Sequence, residues 1–301
     1  VWVERKGEKM SVAILTDTNS GIMPEEAEKL GIFSIPNPFY IDDKLYREGV
    51  DIHHPEFYKI QEEGHEIHTS MVIVGDLLDE WNAILKDYDE VVYIPLSAGL
   101  SSSCQTAQML SEDDEYDGKV FVVNNRRISV TQRLSVYEAK ALADQGRSGA
   151  EIKKYLEDTA ADSSIYIMVD TLKYLKQGGR VTPAAAAIGS LLHIKPILSI
   201  QGDKLDKFGM SRTVKQAKQN MLDAITKDTH DRFKDPDGSG CVISVAHTNN
   251  REAAEQFRNE ILEVFPDRQI IIQELPIVIA VHTGPGTLAC TTSKSFIKEI
   301  Q

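Results

Sequence analysis

Clustered positive charge, paired cysteines and long apolar runs are all missing from this chain. Its 33 Lys and Arg stand against 46 Asp and Glu, a formal net charge of −13, and the cations are scattered over the 301 residues. A nucleic-acid backbone is gripped by clustered cations, so the whole-molecule field has the wrong sign for that partner. Cys104, Cys241 and Cys290 lie far apart with no Cys-x-x-Cys, which spells neither a disulfide framework nor a zinc site and fits a reducing cytoplasm. No apolar run reaches the ~18 residues of a membrane helix; the longest are broken by His193 and Lys195 or by Gln273, Glu274 and Pro276. No Gly-x-x-x-x-Gly-Lys-Ser/Thr occurs, so the sequence offers no phosphate loop for ATP. Residues 1–9 (VWVERKGEK) lack the apolar core of a signal peptide and read as an N-terminal extension ahead of Met10.

What is present is ordinary globular material, 42% apolar and 26% charged, which argues against disorder and fibrous structure. VAILTD (12–17), IFSIPN (32–37), EVVYIPLS (90–97) and KVFVVNN (119–125) are β-branched runs separated by helix-like stretches near 24–30, 54–63, 75–86, 101–111, 129–145 and 149–160. That alternation predicts a three-layer α/β/α domain with a mostly parallel sheet over residues 10–163. A second domain over 164–301 is expected to be α+β with a mixed sheet. It opens with SIYIMVD (164–170), turns a hairpin at Gly202-Asp203 within KPILSIQGDKLDKFG (195–209), and continues through a helix at 211–227 and a polar loop at 228–240. VISVAHT (242–248), a helix at 250–264 and two apolar strands, QIIIQEL and IVIAVHTG, complete it.

Several loops carry chemistry. LTDTNSG (15–21) follows the first strand, where ligands bind in open α/β sheets, and makes Asp17 and Ser20 candidates; Asx-turn and N-cap duty explains them equally well. IPLSAGLSSSCQTA (94–107) brings Ser97, Gly99, Ser101, Ser102 and Ser103 to a helix N-terminus, more hydroxyls than one cap needs, which favours an anion-binding loop without cations. Gly99-Leu-Ser-Ser-Ser103 lacks the second glycine of a hydrolase nucleophile elbow. His65 and His68 in HEIHTS have no third ligand in view, so no metal is expected there; Thr69 and Ser70 add a second hydroxyl pair at a strand end. HTGPGTLA (282–289) imitates a dinucleotide fingerprint, but Pro285 removes a donor and too little chain follows for a βαβ unit. His282, placed at the end of an apolar strand, is either a core histidine or a neutral donor to an anion.

Taken together these motifs resemble the DegV family of bacterial lipid-binding proteins, which includes the fatty-acid-carrying subunit of bacterial fatty acid kinase. The resemblance runs over residues 11 to 290. It rests on Thr16-Asp17-Thr18, Thr69-Ser70, the stretch Ile94 to Ala107, VDTLKYLKQGGRVTPAAAAIGSLLHIKPIL (169–198), Arg212 after the hairpin, and His282 to Gly286. The chain departs from the family at Ser102-Ser103-Cys104, in the absence of a Pro after Thr69-Ser70, and at NNRRIS (124–129).

The resemblance implies two α/β domains with a long-chain fatty acid between them and no further cofactor. The carboxylate would be held by Thr69, Ser70, Ser97, Gly99 and His282, while Asp17, Leu100, Ser101, Gly179, Arg180 and Gly284 form pocket or lid. Residues 176–192 would cover the acyl chain, with Ala184 to Ala187 allowing close helix approach. Arg212, helped by Lys204 and Lys207, would dock an ATP-dependent fatty acid kinase subunit, and an acyltransferase of phospholipid synthesis would take the acyl phosphate. On this reading the chain binds rather than catalyses. The rivals are a serine hydrolase using Ser97 or Ser101 with His282, and a small-molecule sensor or sugar-phosphate binder.

Overall fold

The computed structural model describes residues 11–187, 194–201 and 204–297. The extension at 1–9, the Gly202-Asp203 turn and residues 188–192 of the expected acyl cover lie outside them.

In chain order the first half contains β1 (Val12–Asp17), α1 (Pro24–Leu30), β2 (Phe33–Ile35), β3 (Pro38–Ile41), β4 (Lys44–Arg47), α2 (His54–Glu63), β5 (Ile67–Thr69), α3 (Val74–Ile84), β6 (Glu90–Ile94), α4 (Ser103–Ser111), β7 (Val120–Val122), α5 (Val130–Asp144) and α6 (Gly149–Asp158). The second half contains β8 (Ser163–Met168), α7 (Lys173–Gly178), α8 (Pro183–Ala187), β9 (Lys195–Ile200), β10 (Asp206–Ser211), α9 (Val214–Lys227), β11 (Cys241–His247), α10 (Arg251–Val264), β12 (Ile270–Glu274), α11 (Ile277–Thr283) and β13 (Leu288–Lys294).

The first sheet is parallel, in the order β2-β1-β6-β7. Side chains alternate across a strand, and β6 sorts accordingly: Val91 and Tyr93 join Trp81 of α3 and Cys104 of α4 on one face, Val92 and Ile94 join Val136 of α5 and Leu156 of α6 on the other. Three layers result. The second sheet is mixed, β10-β9-β8-β13-β11-β12, and draws every strand from beyond residue 162. One face packs on α9 and α10 through Met221, Ile225, Phe257 and Ile261. The opposite face, with Ile165, Ile167, Leu198 and Ala289, is covered instead by Phe39, Phe57, Leu100 and the buried side chains of α11. The first half therefore closes the second half's core, and the interface between them is apolar.

A small antiparallel sheet, β4-β3-β5, extends this cover, and its strands of three or four residues carry too little pattern to be read from sequence. Two expectations are corrected. IVIAVHT is the helix α11 rather than a strand; Pro276 provides its entry, and Ile277 to Val281 are all buried, so no polar face reveals a helical period. LACTTSK, beyond the two apolar strands expected to complete the domain, is a central strand, β13. Its buried Thr292 and Ser293 are satisfied by hydroxyl pairs with Thr229 at 2.9 Å and Ser163 at 2.8 Å. Asp228–Arg232, in the expected loop, winds into one wide helical turn. The Ala run packs less than expected: Ala185 is buried, whereas Ala184 and Ala187 are exposed.

Phe257 is fully buried between α10 and the second sheet. Phe257→Ala is expected to lower stability by about 3–5 kcal/mol, measured as the shift of the urea midpoint at unchanged slope.

Candidate functional site

A cleft of about 100 Å³ opens in the apolar interface between the halves. Leu96, Leu100 and Ile128 line it from the first half; Leu175, Val278 and Ile279 line it from the second. Its polar end is made by Thr69, Ser70, Ser101, Ser102, Arg180 and His282. Beyond that end lies an outer groove of about 500 Å³, bordered by Gln61, His68, Lys173 and Tyr174. Thr69, Arg180 and His282 line both spaces and form the neck between them.

The neck is positioned by local structure. Thr69 ends β5, which pairs with β3 across Phe39. His282 stands in the last turn of α11, and its Nε2 lies 2.9 Å from Thr69 Oγ1. Burial, and then the charge of Arg180, lower the His282 pKa to about 4, so the imidazole is neutral near pH 7. Arg180 donates through Nε to the Leu100 carbonyl at 3.4 Å and through Nη1 to the carbonyl of Gly178. The backbone of Gly178 runs against the His282 ring; a Cβ there would come within 2.1 Å of Nδ1. The pocket thus combines a neutral histidine, hydroxyls and a guanidinium, and the expectation of an anion site without cations is corrected by Arg180.

The structure brings Thr69, Ser70, Leu100, Ser101, Arg180 and His282 together. It does not bring Ser97, Gly99 or Asp17 to the cleft wall. Ser97 is buried and its Oγ accepts from the Gly99 amide at 3.3 Å, shaping the loop that carries Leu100 and Ser101. Asp17, also buried, accepts from the Leu96 amide at 3.0 Å, from Gln132 Nε2 at 3.0 Å and from the Asn19 amide at 3.1 Å. Those bonds anchor the loop after β6 to the end of β1, and burial raises the Asp17 pKa. Gly179 ends α7 at φ 67° and Gly284 ends α11 at φ 74°, conformations that favour glycine. Neither lines the cleft. Lys204, Lys207 and Arg212 are exposed on and beside the edge strand β10 and do not line the cleft. His65 pairs with Asp42, and His68 stacks on Tyr40 at 5.0 Å.

Sequence reasoning missed Glu48. It is 1% exposed, accepts from the Ile277 amide at the start of α11, and accepts from Thr18 Oγ1 at 3.2 Å. Burial raises its pKa to about 8. A lone glutamate between strand and turn carries no sequence signal for such a role. Asn19 and Asn37, also missed, line the inner cleft; only TDTNS hinted at the first.

Fold and site together define a two-part α/β protein with an apolar cleft that ends in a polar neck. The family comparison agrees: residues 11–295 match the family described as "Uncharacterised protein, DegV family", and the chain belongs to it. Protein DegV of Bacillus subtilis is 30% identical over 282 residues, covering 93% of this chain and 98% of the relative. Among solved structures, a fatty-acid-binding DegV family protein from Thermus thermophilus superposes with a TM-score of 0.85 at 27% identity, covering 95% of this chain and 100% of that one. A fatty acid binding DegV family protein from Streptococcus agalactiae gives a TM-score of 0.84 at 26% identity, over 95% and 99% of the two chains.

A carboxyl whose folded pKa is raised holds its proton in the native state when the unfolded chain has lost it. Its contribution is therefore present at low pH and is lost as pH rises from the unfolded value of 4.5 towards about 8. Glu48→Gln removes that dependence. The stability of the variant relative to the parent should rise by more than about 1 kcal/mol between pH 5 and pH 8, followed by urea unfolding at each pH.

Proposed function

We propose that this chain binds a long-chain fatty acid, with the tail in the apolar part of the cleft and the carboxylate at the Thr69–Arg180–His282 neck. The observation that carries the reading is the composition of the cleft, lined by aliphatic side chains from both halves and joined to the outer groove through the polar neck of Thr69, Arg180 and His282. The fatty acid binding of the Thermus and Streptococcus relatives supports it. Each methylene withdrawn from water is worth about 0.8 kcal/mol, so the tail supplies affinity and the neck supplies orientation. Arg180 offers a charge-assisted bond to a carboxylate, and neutral His282 and Thr69 offer hydrogen bonds without a competing charge.

The carboxylate would then face the outer groove, open to a separate ATP-dependent kinase subunit. Its oxygen would attack the γ-phosphorus of ATP bound by that partner, ADP would leave, and the acyl phosphate would pass to an acyltransferase of phospholipid synthesis. The absence of a phosphate loop from the sequence supports a division of labour in which this chain binds and its partner transfers, in the cytoplasm. Exposed Lys204, Lys207 and Arg212 beside the edge strand supply a cationic docking face on an otherwise acidic molecule. The hydrolase alternative gains no support. His282 meets Thr69, while Ser101 Oγ lies 3.0 Å from Ser103 Oγ and Ser97 Oγ accepts from Gly99.

Native mass spectrometry of the protein purified from a bacterial host should show one co-purified fatty acid per chain. Thr69→Val and His282→Ala should each weaken a fluorescent fatty acid by about 1–2 kcal/mol, and Gly178→Ala should do so by displacing His282. Unchanged affinity in all three would remove the neck from the site. Arg212→Ala should leave that affinity intact and lower acyl phosphate formation by a reconstituted kinase, measured as hydroxamate; normal formation would end the docking assignment.

A further inference from the structure

The geometry points to a second ligand site, at the carboxyl ends of β11 and β12, for a small phosphate monoester that also carries hydroxyl groups, such as a sugar phosphate or a nucleoside monophosphate. It lies apart from the lipid cleft and does not depend on the reading of that cleft.

Strands β11 and β12 are parallel neighbours joined by α10, and open α/β sheets take ligands where such strands end. A cleft of about 340 Å³ opens at this place, bordered by His54, Tyr58, His247, Asn249, Arg251 and Glu274. The first turn of α2 closes it from the other half of the molecule.

His247 provides the observation that calls for a ligand. The residue is 3% exposed, and its Nδ1 accepts from the Asn250 amide at 3.3 Å. Burial lowers the imidazole pKa, and with Nδ1 accepting, the neutral ring carries its proton on Nε2. That atom is buried without a hydrogen-bond partner among the described residues. An unpaired buried donor is costly, and native structures keep few of them. A ligand oxygen would complete it.

The start of α10 points the same way. Asn250 occupies the N-cap, yet its side chain does not cap the helix; Nδ2 donates instead to the Gly286 carbonyl at 3.1 Å. The first-turn amides of this fourteen-residue helix are left to other acceptors. Arg251 opens the helix from an exposed position; its Nε pairs with Glu255 at 2.8 Å, and its Nη groups have no partner among the described residues. An orphan imidazole N–H, a helix N-terminus and a guanidinium suit one phosphate.

Glu274 decides the rest of the ligand. It ends β12 on the other side of the cleft and is hydrogen-bonded to the Tyr58 hydroxyl, which accepts from the Asn249 amide at 3.2 Å. A carboxylate opposes a bare anion, so a ligand that fits must turn hydroxyl donors toward it. An acidic side chain at the end of the second strand of a βαβ unit is placed to accept sugar hydroxyls. The turn HTNNR (247–251) contains no glycine, and Asn249 takes the left-handed conformation at φ 45°. Without the glycines that let a pyrophosphate approach the backbone, the site suits a single phosphate.

The test titrates the full chain with inorganic phosphate, ribose 5-phosphate and AMP by calorimetry, with the His247 ring followed by NMR. Ribose 5-phosphate or AMP should bind at least about tenfold more tightly than inorganic phosphate and shift the His247 resonances. Arg251→Ala should weaken all of them about tenfold, and Glu274→Gln should bring the phosphate ester down to the level of inorganic phosphate. Fatty-acid affinity should be unchanged in both variants, which keeps this outcome separate from that of the lipid site. Absence of binding at millimolar concentration, equal binding of all three anions, or binding indifferent to Arg251→Ala would each overturn the proposal.

Discussion

The buried carboxyl group of Glu48 ties the site together. It receives the Thr18 hydroxyl from the loop after β1 and the amide of Ile277 from the first turn of α11, so one side chain fixes the helix of the second half to the parallel sheet of the first. The far end of that helix carries His282 to Thr69, on the small sheet to which the segment before Glu48 also belongs. The chain thereby closes a circuit, β4 to Glu48, Glu48 to α11, α11 to β5, and β5 back through β3. Only buried hydrogen bonds and strand pairing hold it. A helix N-terminus favours a negative cap, while burial favours the neutral acid, and the raised pKa shows that burial prevails.

The layout of the cleft follows from what covers the second sheet. Its inner face is covered by α11 with Leu175 of α7 and Ala185 of α8, and the first half supplies Phe39, Phe57 and Leu100. A ligand tail entering that interface replaces apolar contacts with apolar contacts. At the neck the neutral state of His282 leaves Arg180 as the cation among the lining residues described.

Much of this was legible in the sequence. Strands β1, β6, β8 and β11 are β-branched runs bounded by turn residues, and Thr69, Arg180 and His282 stand in motifs whose family match carries them. The failures have physical causes. In α11 every side is buried except near His282, so β-branched residues in a continuous apolar run read as strand. In β13 the buried residues are threonine and serine, made acceptable by cross-strand hydroxyl pairs that no single-sequence pattern records. The hydroxyl of Ser97 looked like a ligand donor because its role in shaping its own turn depends on backbone geometry. Glu48 depends on Ile277, 229 residues away, and nothing local announces it.

The position of β13 bears on how the molecule is made. It is the last strand in chain order, yet it lies between β8 and β11 and pairs antiparallel with both. Until it arrives, β8 to β10 and β11 to β12 are two separate ribbons with unpaired edges, exposed to the mispairing that open strand edges invite. During synthesis the parallel sheet of the first half can close as soon as residue 122 is free, whereas the second sheet must wait for residue 294. The inner core, which needs both, is therefore completed late, and the emerging chain passes through a stage with a finished first sheet and an uncovered apolar face.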